Sequence, residues 1–342
     1  MRALRWTVLG LGVLAALLYV VGLGIYAVAS TAPDVPSQPA TPEEAREAIR
    51  SLGLAEEYPF ESRFVSTPHG RMHYVDAGQG SPILCVHGNP TWSFLYRNFV
   101  KGLSDSHRVV AVDLIGFGLS EKPSDPDDYS ILGHVEDLSR LVETLDLRNV
   151  TLVMQDWGGP IGLGVALRYP ERIRALVVMN TIGFVPEGNG GPPFALRILR
   201  APLLGEELVQ GLGLFNRVFV PAAIVRDERK DELVRRAYVE VQGTWDDRAG
   251  TLAFPRLIPT GPHDPVVGLL EQEDRYVREF RGPVLLAWGL RDRVFSRSIL
   301  EQWRERVPQA SVLELPDAGH FLQEDAHELI VPRIRKLLAD AE

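Results

Sequence analysis

The sequence predicts an α/β protein with a mostly parallel sheet of eight strands, and three observations carry that expectation. Short apolar runs rich in Val and Leu recur at 82–86, 108–113, 150–154, 175–180, 283–288 and 311–315. Apolar runs without polar alternation fit strands covered on both faces. Segments with helical spacing separate most of them, at 93–101, 132–145, 160–168 and 298–306. Such alternation builds a parallel sheet with helices on both sides. The alternation lapses once, over 183–263, where amphipathic stretches such as 193–204 and 231–242 mix with Gly and Pro. That stretch reads as a helical cap inserted between the sixth and seventh strands. Ligands of open α/β sheets bind beyond the carboxyl ends of the strands, where a cap would exclude bulk water.

Taken from the N-terminus, the first element stands apart. Arg2 and Arg5 precede an uncharged run, 6–33, whose apolar part, 6–29, exceeds the length of about 20 residues that crosses a hydrocarbon core. Basic residues before it, and Asp34, Glu43 and Glu44 after it, place the N-terminus inside and the remainder outside. The expectation is a membrane anchor over 1–30, with the rest of the chain on the outer, extracytoplasmic side. The alternative is a secreted chain cleaved near Ala29, where Ala27-Val28-Ala29 offers small residues. Over 31–58 a Pro-rich polar tether (Pro33, Pro36, Pro39, Pro42) leads to a short helix at 43–54. Residues 63–67 and 71–76 flank Pro68-His69-Gly70 as a hairpin. The first part of the core then covers 59–182, the cap 183–263 and the second part of the core 264–342.

Composition excludes several function classes. The 342 residues are 45% hydrophobic, enough for a large core. A net charge of -9 without a Lys/Arg block argues against a nucleic-acid partner. The single cysteine, Cys85, sits in an apolar run and reads as a buried, inert thiol. No Cys-rich metal site is possible.

Candidate chemistry clusters after the strands. Val153-Met154-Gln155-Asp156-Trp157-Gly158-Gly159 has the strand–turn–helix setting of a nucleophile elbow, with Asp156 at the point where one side chain is lifted clear of the sheet. A carboxylate there can displace a leaving group from a saturated carbon and form an ester that water cleaves. Its competing reading is a helix N-cap. His320, in Asp317-Ala318-Gly319-His320, is the candidate base, since imidazole titrates near neutrality. Asp292 would fix the tautomer of His320, against the bland reading of an exposed loop aspartate. The chain order is nucleophile, acid, histidine. Asn180 ends the sixth strand at another possible acid position but carries no charge. His87 reads as a brace for its turn, and the remaining histidines are assigned no role. Trp157 and Asn89 supply N–H donors for a departing halide, and their backbone N–H groups are the candidate oxyanion hole. Plain packing is the alternative for Trp157, and a pre-proline turn for Asn89. Asp113-Leu114-Ile115-Gly116-Phe117-Gly118 lacks dinucleotide spacing and reads as a turn.

With these residues in place, the chain resembles the haloalkane dehalogenases of the α/β-hydrolase superfamily. The likeness rests on His87-Gly88-Asn89-Pro90-Thr91-Trp92, on Asp113 to Pro123, on Gln155-Asp156-Trp157-Gly158-Gly159-Pro160 and, in the cap, on Thr251-Leu252-Ala253-Phe254-Pro255-Arg256. It runs from about residue 60 to the end. It implies an α/β-hydrolase fold with Asp156 as nucleophile, His320 as base, Asp292 as acid, and Trp157 with Asn89 as halide holders. It implies small apolar halogenated substrates, with water consumed, halide released, and no cofactor or metal. The rival readings are an epoxide hydrolase using the same aspartate, for which 183–263 offers only Tyr238 as a phenolic acid, and a non-catalytic, membrane-tethered module.

Overall fold

The computed structural model describes residues 37–188, 194–226, 228 and 232–340. Its centre is an eight-stranded sheet: β1 Ser62–Thr67, β2 Gly70–Ala77, β3 Pro82–Val86, β4 Arg108–Val112, β5 Val150–Asp156, β6 Ile173–Thr181, β7 Val284–Gly289 and β8 Ser311–Leu315, in the order β1-β2-β4-β3-β5-β6-β7-β8. β1 and β2 form the expected hairpin, with Thr67 opposite Gly70, and β2 runs antiparallel to β4. All later pairings are parallel.

Strand residues alternate between two cores because successive side chains leave opposite faces. Leu84, Val86, Val110, Leu152 and Met154 enter one core, while Ile83, Cys85, Val109, Ala111 and Val153 enter the other. The first core is covered by helices α3 Ile131–Thr144, α4 Gly158–Arg168, α8 Pro265–Glu279 and α9 Arg297–Arg306. The second is covered by α1 Pro42–Ser51, α2 Arg97–Leu103 and α10 Leu322–Ala339. Between β6 and β7 the helices α5 Phe194–Leu199, α6 Glu232–Val239 and α7 Ala249–Arg256 join shorter helical turns, Glu206–Gly211 and Phe215–Phe219. β5, between β3 and β6, is buried along its whole length, including Thr151, Gln155 and Asp156. Polar groups tolerate such burial only when they are hydrogen-bonded, so the carboxyl end of β5 is where chemistry is to be sought.

The expected membrane-spanning segment, 1–30, lies outside the described residues. Among the described residues no helix is long and apolar enough to cross a membrane. The segment expected as a tether departs from that expectation from Ser37 onward. The Ser37 carbonyl accepts from Lys122 Nζ, Gln38 pairs with the Lys122 backbone, and the Pro39 carbonyl accepts from Arg71 (3.1 Å). Ala45, Ala48, Ile49, Leu52, Leu54 and Tyr58 are buried. The apolar face of α1, opposite Glu43, Glu44 and Glu47, has a core to pack on, so this region belongs to the domain.

Candidate active site

Asp156 ends β5 with φ 53, a left-handed conformation that costs an ordinary residue about 1–2 kcal/mol. The surroundings enforce it. A Cβ at Gly158 would collide with the Val86 carbonyl, and one at Gly88 with Asp156 Oδ1. Only glycines let the β3 loop and the start of α4 close around the aspartate. Thr181 Oγ1 donates to the Asp156 carbonyl. The N-cap position of α4 falls on Trp157, with no side-chain cap bond. Asp156 Oδ1 instead accepts from the Asn89 backbone N–H at 2.8 Å. Burial pushes the Asp156 carboxyl above its ordinary pKa, against the pull of His320 and the N–H groups of Trp157 and Asn89.

His320 reaches the same carboxylate, with Nε2 3.7 Å from Asp156 Oδ2. Its Nδ1 donates to Asp292 Oδ2 at 2.8 Å, which leaves Nε2 as the basic nitrogen. Asp292 is buried and saturated: Asn180 Nδ2 donates to Oδ2 at 2.6 Å, and the N–H groups of Val294 and Phe295 donate to Oδ1 at 2.6 and 3.2 Å. Burial opposes the Asp292 charge, but His320 and these donors outweigh it and lower its pKa. Burial likewise opposes a charge on His320, yet Asp292, and after it Asp156, raise the imidazole pKa. Phe295 stacks on the ring at 5.7 Å and Phe321 meets its edge at 4.7 Å, fixing its plane.

The candidate donors come from the β3 and β5 loops and meet one cap helix. Asn89 Nδ2 faces the Thr251 carbonyl at 3.4 Å, and Trp157 packs edge-on against Phe254 at 5.8 Å, so α7 roofs both. Among the described residues the Trp157 indole N–H donates no hydrogen bond. His87 braces this loop as expected: Nδ1 donates to the Gly88 carbonyl at 2.8 Å, and Nε2 accepts from Leu114 N–H at 2.9 Å. Burial holds His87 neutral, with its pKa down at about 4. The Gly-rich turn is organised by Asp113, which accepts from Ser93 N–H, Leu119 N–H and His73. Tyr238 is buried and donates to Glu324 Oε1 at 2.5 Å, within a pair that Glu324 makes with Arg97. It is therefore not free to protonate an epoxide.

The site thus sets a carboxylate on a strained elbow, an imidazole beside it and a buried acid behind that imidazole, on the carboxyl ends of β5, β8 and β7. A model of the alpha/beta hydrolase fold matches residues 81–327. The chain is 37% identical to haloalkane dehalogenase 2 of Mycobacterium tuberculosis, across 81% of this chain and 94% of that one. The chain belongs to the haloalkane dehalogenase-like α/β hydrolases. The haloalkane dehalogenase DatA of Agrobacterium tumefaciens superposes on this hydrolase with a TM-score of 0.74 at 30% identity, over 82% of this chain and 97% of that one. The hydrolase is also 40% identical to a cis-3-alkyl-4-alkyloxetan-2-one decarboxylase of Shewanella oneidensis, over 83% of this chain and 90% of that one.

The hydrolase also holds groups that sequence reasoning did not assign. Gln155 Nε2 lies 3.1 Å from His320 Nε2 and 3.2 Å from the His320 carbonyl, so it occupies the lone pair of the resting base. Its position one residue before the elbow was the only signal. Asn180, uncharged at the other possible acid position, has a supporting role. It clamps Asp292 and receives the Gly289 N–H at 2.8 Å, tying β6 to the β7 loop.

Proposed function

We propose that this hydrolase cleaves carbon–halogen bonds of small apolar haloalkanes, giving an alcohol, a halide and a proton. The observation that carries the reading is the placement of Asp156 3.7 Å from a histidine whose other nitrogen is committed to a buried acid. In the first step an Asp156 carboxylate oxygen attacks the saturated carbon. The C–O bond forms as the carbon–halogen bond breaks, and the halide leaves toward N–H donors of Trp157 and Asn89. In the second step His320 Nε2 takes a proton from water, whose oxygen adds to the ester carbonyl. The backbone N–H groups of Asn89 and Trp157 face that carboxyl group and can stabilise the oxyanion. The intermediate expels the alkoxide, which takes the proton back from His320 and departs as alcohol, and the Asp156 carboxyl group releases the other proton of the water to return to carboxylate.

The electrostatics order these steps. The Asp156 charge helps to raise the His320 pKa. Alkylation removes that charge, so the imidazole becomes easier to keep neutral once a base is required. Asp292 remains charged and holds the tautomer. No step calls on a cofactor or metal. We also propose that residues 1–30 anchor the chain, with the domain on the extracytoplasmic side.

A second reading is favoured by the 40% likeness to the Shewanella oneidensis decarboxylase. Asp156 can equally attack the ring carbon of an oxetan-2-one that bears the ring oxygen. The ring carboxylate then leaves toward the halide donors. Loss of carbon dioxide forms an alkene as the Asp156 ester oxygen departs, with no water consumed. One experiment separates the readings: purified full-length chain with 1-bromobutane, 1,2-dibromoethane or a cis-3,4-dialkyloxetan-2-one, assayed for bromide and for alkene. Bromide release supports the first reading. Alkene without bromide across a broad haloalkane panel overturns it in favour of the second, and turnover of styrene oxide alone overturns both.

A further inference from the structure

We propose that the outer face of the cap, formed by Pro202 to Phe219, docks into a lipid surface and delivers apolar substrate to the site from there. Leu203 is 82% exposed, and Leu204, Leu212 and Val218 are also exposed. Half-buried Leu208, Leu214, Phe215 and Phe219, from the same stretch of chain, pack on a small cluster of Leu199, Val209 and Leu252. Single apolar residues on a surface are ordinary, but four exposed ones within residues 203–218, in a stretch that also packs on its own apolar cluster, mark an interaction site. Leu203 departs from the ordinary twice, since it also holds φ 66, where a leucine is strained. Three charges fall in the segment, Glu206, Glu207 and Arg217, and Glu206 is paired with Arg256 at 2.6 Å.

The position of the patch relates it to the chemistry. Leu252 of α7 belongs to the cluster on which that stretch packs, whereas Phe254, about 200° further round the same helix, touches Trp157. A single helix therefore separates the patch from the proposed leaving-group donors.

The N-terminal part of the chain reaches the domain beside the cap. Ser37 is held by Lys122, whose Nζ also donates to the Gly118 carbonyl at 2.6 Å. Gly116 of that same loop lies against Gly250 of α7, and its carbonyl accepts from Gln242 of the cap. The N-terminal segment thus enters at the cap end of the domain. The proposed anchor ends at residue 30, seven residues before Ser37, a span of at most about 25 Å. An anchor there places the cap, rather than the opposite end of the sheet, against the bilayer. This part rests on the proposed anchor; the exposed patch is independent of the substrate.

The test uses full-length chain in vesicles of phosphatidylcholine and phosphatidylglycerol. Nitroxides are attached at Leu203→Cys, Leu212→Cys and Val218→Cys, with Leu329→Cys, exposed on α10, as control. Cys85 is buried and stays unlabelled. Labels on the cap are expected to relax more with oxygen than with a water-soluble nickel chelate, and the control to do the reverse. Cap labels as aqueous as the control would overturn the proposal. So would protection from both reagents, which would indicate a protein partner, or failure of the chain to float with vesicles. These readouts need no turnover, so loss of the haloalkane reading would leave them standing. For delivery, Leu203→Glu/Leu212→Glu is expected to raise KM about tenfold for a long-chain bromoalkane held in vesicles and leave kcat on 1-bromobutane unchanged. Equal KM values for variant and parent would overturn the delivery role.

Discussion

Replacing Asp292 by Asn tests the proposed division of labour most directly. The carboxylate accepts from His320 and Asn180 on one oxygen and from Val294 and Phe295 N–H on the other. An amide has one acceptor end. If its oxygen stays toward His320, its NH2 meets the Val294 and Phe295 donors at contacts of 2.6 and 3.2 Å. If it turns, its NH2 faces His320 Nδ1, the imidazole proton moves to Nε2, and the base is lost. Each charge-assisted bond forfeited is worth about 1.5–3 kcal/mol. Loss of the correct tautomer in a comparable triad costs about 10⁴-fold, or about 5 kcal/mol of barrier. That loss falls on ester hydrolysis, because attack by Asp156 requires no base. Asp292→Asn is therefore expected to release about one bromide per enzyme in a rapid burst and then stall. The Asp156 peptide should carry the mass of the alkyl group. Steady bromide release within tenfold of the parent, or a stall with no burst, would refute the reasoning.

Trp157→Phe keeps a ring against Phe254 but removes the indole donor; kcat/KM for bromoalkanes should fall about 10–100-fold, the value of one hydrogen bond to a charged group, and bromide-dependent quenching of tryptophan fluorescence should disappear. The rate of ester hydrolysis should fall as pH drops through a value above the ordinary imidazole pKa, because Asp292 keeps His320 raised after Asp156 is esterified; single-turnover decay of the alkyl-enzyme against pH measures it. The same raised pKa gives stability that is complete below the unfolded value of about 6.5 and is lost as pH climbs through the folded one. Asp292, whose pKa is lowered, contributes above its unfolded value and loses that contribution as pH falls through the folded one; thermal unfolding from acid to alkaline pH should therefore decline at both ends. Glu273 is buried with neither carboxyl oxygen hydrogen-bonded among the described residues, and burial raises its pKa well above the ordinary value. It keeps its proton in the native state, so stability should drop by up to about 1.4 kcal/mol per pH unit above its unfolded pKa. Glu273→Met should gain in Tm increasingly from roughly pH 5 to pH 8, and a gain that does not vary with pH would count against this account.

The sequence by itself determined the sheet and the candidate chemistry. Strands buried on both faces must be apolar throughout, so β3, β5 and β7 stand out in a linear reading, and Asp156, Asp292 and His320 could be placed just after them. Helices that serve the core while carrying many charges were less legible. α8 contains Glu271, Glu273, Asp274, Arg275 and Arg278 among its apolar positions. α10 includes Pro332 and a non-helical Ala326, which break the 3.6-residue period. Which neighbours surround each reactive group was decided only by the tertiary structure, because those contacts join residues far apart in the chain. Asn180 clamps Asp292 across 112 positions, Gln155 meets His320 across 165, and Asn89 meets Thr251 across 162. Residue type and spacing name a possible nucleophile, base and acid. The dry, crowded packing around them fixes the His320 tautomer, the strain at Asp156 and the directions in which their pKa values move.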